Sequence, residues 1–187
     1  MYGMVHTAAR SMVVETMGEA AWQDVLSQAD LQGEHFISGQ CYSDDVTFAL
    51  IDAATKVSGM AQDDLLKSFG KYWIGYTANS SYGTMFRVGG DQLVTFLTNL
   101  NRMHASVHAT MPESRMPSFE MLRNEHGRID VLYTSDRTGL TAFVEGLLKG
   151  LMEYFGETGY ITLEETPEGE VFSLHCAGKK SELKGAA

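Results

Sequence analysis

Apolar residues recur at two different periods along this chain, and the change of period divides it. In the first two thirds they fall at three- and four-residue steps, the mark of helices with one buried face. Residues 3–17 carry such a pattern, and a second helix over 19–29 follows Gly18. The stretch from Gly33 to Gly39 breaks it. Ser43-Asp44-Asp45 then reads as a helix start, a capping hydroxyl followed by first-turn carboxylates. That helix is predicted to run to about Ser58. Another is predicted from Gln62 to about Tyr76, interrupted at Gly70, with Tyr72, Trp73 and Tyr76 as an aromatic stretch. Asn79-Ser80-Ser81 and Gly89-Gly90 act as punctuation. The clearest amphipathic helix covers 91–111, where Leu93, Leu97, Leu100, His104, Val107 and Met111 share one side.

Beyond Pro112 and Pro117 the chain changes character. Residues 118–123 and 129–135 are predicted strands around the turn Asn124-Glu125-His126-Gly127. A helix over 140–155 places Phe143, Leu147, Leu148, Leu151 and Phe155 on one side. A second hairpin pairs 160–164 with 171–175 around Pro167-Glu168-Gly169. The small, charged tail from Lys179 to Ala187 is expected to fray. Helices first, then an antiparallel sheet with a helix, make the fold class α+β.

The 187 residues suffice for one domain, or two tightly packed subdomains, with a real core. Hydrophobic residues make up 44% and charged ones 20%, an ordinary globular composition. A net charge of −10 argues against nonspecific nucleic-acid binding and against anionic membrane surfaces. Uncharged apolar stretches stay far below the ~20 residues that span a bilayer. The start carries no basic segment followed by an apolar one, so it does not read as a secretory signal. Cys41 and Cys176 are far apart and read as reduced thiols, which points to the cytoplasm.

Two features carry candidate chemistry. An imidazole among leucines, as at His104, either satisfies its nitrogens on protein groups or binds something, usually a metal. His104 and His108 are also one helical turn apart and could share a metal, as in a zinc hydrolase. The metalloprotease form needs a glutamate beside the first histidine, and Ala105 stands there. The second feature is Tyr133-Thr134-Ser135-Asp136-Arg137. On an extended segment Tyr133, Ser135 and Arg137 would offer two hydroxyls and a guanidinium fork to one carboxylate ligand. The plainer reading is a polar strand face. Asp44-Asp45 and Glu164-Glu165 read as caps and solvated turns.

A helical histidine, a proline-punctuated exit and a carboxylate-binding strand together are what a heme with two propionates requires. With Met1-Tyr2-Gly3, Tyr42-Ser43-Asp44-Asp45, Phe69-Gly70-Lys71-Tyr72-Trp73, residues 99–119 and Gly146-Leu147-Leu148-Lys149-Gly150, the chain resembles the H-NOX (heme nitric oxide/oxygen binding) family. That family is related to the heme domain of soluble guanylate cyclase. The matching stretches span nearly the whole chain in the family's order.

The resemblance implies a single domain over 1–187, with heme b (iron protoporphyrin IX) between two subdomains. Residues 1–about 60 would form the distal helical one and about 61–187 the proximal α+β one. His104 would be the iron ligand, and Tyr133, Ser135 and Arg137 would bind the propionates. Pro117 would press on the porphyrin, Val5 would contact the ring, and Gly70 would be a hinge-like glycine. Trp73 would face the distal pocket. Members that hold dioxygen use a distal tyrosine, and here the two possible registers give Ala142 or Phe143, neither with a hydroxyl. The expected ligands are therefore nitric oxide and carbon monoxide, with dioxygen excluded. The expected signal is rupture of the His104–iron bond, followed by subdomain motion about Gly70 and the 112–117 exit. The partner would be a separate signalling protein, such as a histidine kinase or a cyclic-di-GMP enzyme, and the chain itself would not be an enzyme. The rival readings are a helical metal-dependent hydrolase using His104 and His108, and a non-heme protein-interaction module.

Overall fold

Helices fill the first half of the chain, as its periodicity requires. The computed structural model describes residues 1–80 and 83–179. Ser81 of the predicted break and residues 180–187 of the predicted tail lie outside them. α1 (Gly3–Met17) and α2 (Glu19–Gln28) meet at Gly18. α3 (Asp44–Ser58) starts where expected, with the Ser43 hydroxyl accepting from the Val46 amide at 3.4 Å. Val13, Trp22, Val25, Leu26, Leu50 and Ala53 from these three helices form a small core.

His6 is 2% exposed at this end of the molecule. Its Nε2 lies 2.9 Å from the Thr47 hydroxyl, the rings of Phe36 and Tyr42 pack on it, and Nδ1 has no partner among the described residues. Burial, helped by the nearby positive amine of Met1, lowers its pKa to about 4. In the unfolded chain a histidine titrates near ~6.5, so between pH 6.5 and 4 the unfolded state binds the extra proton. The neutral imidazole therefore contributes stability that is complete above pH ~6.5 and is lost as the pH falls through 4, a change of about 3 kcal/mol. Denaturant unfolding between pH 7 and 4 should show this loss, and His6→Leu should remove most of it. An identical pH dependence in both proteins would contradict the assignment.

α4 (Gln62–Ala78) runs unbroken through Gly70, so the predicted interruption is absent. The glycine serves a close approach instead. α4 packs along α7 (Thr141–Tyr154), and a Cβ at Gly70 would meet the Phe143 carbonyl oxygen and the Leu147 amide nitrogen. A Cβ at Gly146 would likewise meet the Lys67 carbonyl. A short helix, α5 (Gly83–Gly89), occupies a region where only punctuation was expected, because seven residues are too few to display a period. α6 (Leu93–Thr110) is the long amphipathic helix.

The strands β1 (Ser118–Glu125), β2 (Arg128–Thr134), β3 (Glu157–Thr166) and β4 (Gly169–Lys179) form one antiparallel sheet in the order β1-β2-β4-β3. Both hairpins are those predicted; β1, β3 and β4 are longer than expected and β2 is shifted by one residue. The first turns on His126 and Gly127, which have φ of 51° and 77°, the left-handed pair of a type I′ turn. Ile129 faces Leu174 and Val131 faces Phe172 across β2 and β4, so one side of the sheet is apolar. That side meets Val144, Leu148, Leu151 and Met152 of α7 and Phe96, Leu97 and Leu100 of α6 in the larger core. α7 was expected to have one apolar side. It has more, because Gly146 and Gly150 pack on α4 and Phe143 and Leu147 are left half-buried. Among the described residues no helix is long and apolar enough to cross a membrane. Cys41 and Cys176 are free.

Candidate functional site

The apolar stripe of α6 has two fates. Leu93 and Leu97 are buried in the core, whereas His104, Val107 and Met111 line a cavity of about 290 Å³. Its lining is almost wholly apolar and its size lies at the lower end of small-molecule sites, roughly 300–1,000 Å³. Val5 of α1, Trp73 of α4, Phe143 of α7 and Pro117 all contribute to the walls. Ala142, the alternative register to Phe143, is buried outside the lining. Tyr72 and Tyr76, the rest of the predicted aromatic stretch, belong to neither the core nor the lining. Both are half-exposed, and the Tyr72 hydroxyl donates to Glu15 at 2.8 Å on the surface.

His104 is half-buried, 5.8 Å from the ring of Phe119, and its Nδ1 lies 3.1 Å from the Pro117 carbonyl oxygen. A carbonyl only accepts, so Nδ1 carries the proton. Burial lowers the pKa of His104 and the Pro117 bond works the other way; the net shift is downward, toward the neutral imidazole. A neutral ring protonated at Nδ1 has its lone pair on Nε2, and that nitrogen is a metal ligand in waiting. This acceptor is not legible in sequence, because a backbone carbonyl thirteen residues away leaves no compositional trace.

Tyr133 closes the cavity from the end of β2, 6% exposed. The expected strand alternation stops there. Ser135 and Arg137 follow in a bend, where the Ser135 hydroxyl accepts from the Arg137 amide at 3.1 Å. All three side chains nevertheless line the same cavity. Burial raises the Tyr133 pKa, which keeps the phenol a donor.

Arg137 already holds a carboxylate. Its Nε lies 3.2 and 3.1 Å from the two oxygens of Asp44, and its Nη1 donates to the Arg115 carbonyl at 2.7 Å. Asp44 also accepts from Arg115 and, at 3.3 Å, from the amine of Met1. Burial raises its pKa, but the hydrogen bonds and charges of Arg137 and the amine outweigh this and hold the carboxyl below the usual range. Asp44 was expected to be a cap in a solvated turn. It does stand in the first turn of α3, but its carboxylate is also the shared partner of Met1, Arg115 and Arg137, which line the cavity, and that second use is not distinguishable from a cap in sequence. His108 is exposed and outside the lining, and no group of three or more His, Cys, Asp or Glu among the described residues could hold a metal.

An apolar cavity with one imidazole lone pair on its wall and two hydroxyls with a guanidinium at its mouth defines a pocket for a large apolar metal chelate bearing carboxylates. The residues fit a heme on that basis, and Asp44 shows that Arg137 accepts a carboxylate here. Comparison with known proteins agrees. Residues 2–163 match the Haem-NO-binding family, and the chain belongs to it. It is 28% identical over 152 residues to soluble guanylate cyclase gcy-34 of Caenorhabditis elegans, covering 80% of this chain and 22% of that protein. Soluble guanylate cyclase 89Da of Drosophila melanogaster is 26% identical over 157 residues, 83% of this chain and 24% of the relative. The chain thus spans about a quarter or less of these relatives. In three dimensions it resembles an H-NOX protein from S. oneidensis in the Fe(II) ligation state, with a TM-score of 0.86 and 19% identity over 97% of this chain and 98% of the other. An H-NOX protein from K. algicida superposes with a TM-score of 0.81 and 21% identity, covering 97% and 99%. The predicted α+β fold is therefore the fold of that family.

Proposed function

We propose that this chain is a heme-based gas sensor that takes nitric oxide and carbon monoxide and excludes dioxygen. The observation that carries the reading is the His104–Pro117 bond, which leaves the Nε2 lone pair at a cavity ending on Tyr133, Ser135 and Arg137. Heme b, when bound, would supply an iron centre for the gas. His104 holds the iron, Tyr133, Ser135 and Arg137 hold the propionates, and Val5, Trp73, Phe143 and Pro117 shape the walls. The distal subdomain of residues 1–about 60 and the proximal one of about 61–187 meet at this cavity; the two separate cores support that division.

Selectivity follows from what the walls lack. A distal donor stabilises the charge on bound dioxygen, worth ~1.5–3 kcal/mol for a charged partner. Phe143 offers no hydroxyl, and the Thr77 hydroxyl donates within α4 to the Trp73 carbonyl at 2.7 Å. No described residue accepts from the Trp73 indole, so Trp73 is the group that the measurement tests. His104 would link the iron to α6, and motion of that helix would pass to a signalling protein such as a histidine kinase or a cyclic-di-GMP enzyme; the chain acts as a cytoplasmic sensor and not as a catalyst. Differential affinity of the gas for the two conformations supplies the energy.

The reduced protein, expressed with heme precursor, should show a Soret band that shifts with nitric oxide and with carbon monoxide and is unchanged by air. A reversible spectral shift in air would overturn the exclusion of dioxygen. A colourless protein carrying zinc would support the hydrolase reading instead.

A further inference from the structure

Asn101, His104 and His108 recur on α6 at steps of three and four, so they form a single stripe. Each bonds to the backbone of the chain returning from the helix. Asn101 takes Phe119 twice, donating to its carbonyl at 2.8 Å and accepting from its amide at 2.9 Å. His104 takes the Pro117 carbonyl, and His108 Nδ1 lies 3.0 Å from the Ser114 carbonyl. Ser114 is itself fixed, because its amide and its hydroxyl both donate to the Met111 carbonyl, at 2.9 and 2.6 Å. The result is a closed turn over Met111–Ser114 with Pro112 at its second position. Residues 111–117 belong to no helix or strand, so the turn bond and side chains from outside hold the segment in place of a ladder.

The same segment is also held from the other side. The Glu113 amide donates to the Tyr2 hydroxyl at 3.3 Å, Arg115 pairs with Asp44, and the Arg115 carbonyl accepts from Arg137. Tyr2 and Asp44 begin α1 and α3. The turn is thus shared between α6 and the N-terminal helices, and on the α6 side His108 is its clamp.

We propose that His108 is a positioning residue for His104. By tying Ser114 to α6 it keeps the Pro117 carbonyl, three residues on, aligned with His104 Nδ1. It also makes the turn travel with α6 when that helix moves. The effect at iron rests on the heme reading above, whereas the clamp itself is a property of the chain alone. His108 is exposed in the last turn of α6, outside the cavity and joined to no metal group, and the contacts described for its ring are those with Ser114.

The test compares the full-length protein with His108→Ala and with His108→Asn, whose amide can still donate to Ser114. Amide hydrogen exchange at Ser114 should quicken about fivefold in the alanine variant, the equivalent of one hydrogen bond of ~1 kcal/mol. It should stay within about twofold of wild type in the asparagine variant. The iron–histidine stretching frequency of the reduced protein should shift in His108→Ala and return in His108→Asn. If no Soret band forms in any of the three, the heme reading has failed, and the ¹⁵N shift of His104 Nδ1 replaces the iron readout. Unchanged exchange in His108→Ala overturns the clamp. Faster exchange with an unmoved His104 signal overturns the positioning role.

Discussion

Replacing His104 with glycine should strip the protein of heme, and free imidazole should restore it. Among the described residues of the wild-type chain the one imidazole on the cavity wall has its Nδ1 taken by Pro117, which leaves Nε2 for iron. Losing an outer-shell partner costs a metal site ~10–100-fold in affinity, and losing the ligand itself should exceed that. The apolar walls remain in His104→Gly, so added imidazole can occupy the vacated space and the Soret band should return. What should not return is the response. The restored protein has no covalent path from iron to α6, so nitric oxide should no longer change hydrogen exchange over residues 111–117. A response equal to wild type would place the transmission elsewhere. Heme retained without imidazole would remove His104 as the ligand.

Arg137→Ala should release heme far faster than Arg137→Lys. The Arg137 side chain is only 10% exposed and faces Asp44 at 22%. Asp44 keeps Arg115 and the Met1 amine when Arg137 is removed, but a propionate would lose its charged partner, at a cost of ~3–5 kcal/mol when such a pair is buried. The alanine variant loses the propionate contact as well as the tie to Asp44 and to the Arg115 carbonyl. Lysine restores a point charge without the fork that serves two acceptors at once, so it should fall between alanine and wild type. Transfer of heme to an excess of scavenger protein gives the rates. A rise of about 100-fold or more is expected for alanine, from the lower end of that energy range. Equal rates for alanine and lysine would show that charge contributes nothing, and a wild-type rate for alanine would remove Arg137 from the site.

Much of this site was legible before any coordinates, and the failures have definite causes. The stripe through His104 could be read because a helix repeats its faces, yet the same period marks Leu97, in the core, and Val107, at the cavity. Hydrophobicity does not separate an apolar neighbour from an apolar void. Tyr133, Ser135 and Arg137 come together as expected, although by a bend and not by strand alternation. A local hydroxyl-to-amide bond at Ser135 made that bend, and such bonds compete with extended structure. Asp44 and Arg115 were missed as partners of Arg137 because pairs 93 and 22 residues apart leave no periodic signal. Asn101 was within reach, three residues before His104 on the same stripe. The break expected at Gly70 was a misread, since glycine in a helix marks close approach as readily as termination.

That approach has its own consequence. Most helix pairs lock together because side chains of one sit in the gaps of the other, and sliding requires each to climb out. Where α4 and α7 touch at Gly70 and Gly146 there is little to climb over, because main chain lies directly on main chain. At those two points the seam would act as a bearing, held on its flanks by the stacked rings of Phe69 and Phe143 and by the Lys67–Glu145 and Lys71–Glu153 ion pairs. Trp73 lies one turn beyond Gly70, and Phe143 one turn before Gly146. A slip of the bearing by a fraction of a turn would therefore widen or narrow the gap between indole and phenyl without any rotamer change.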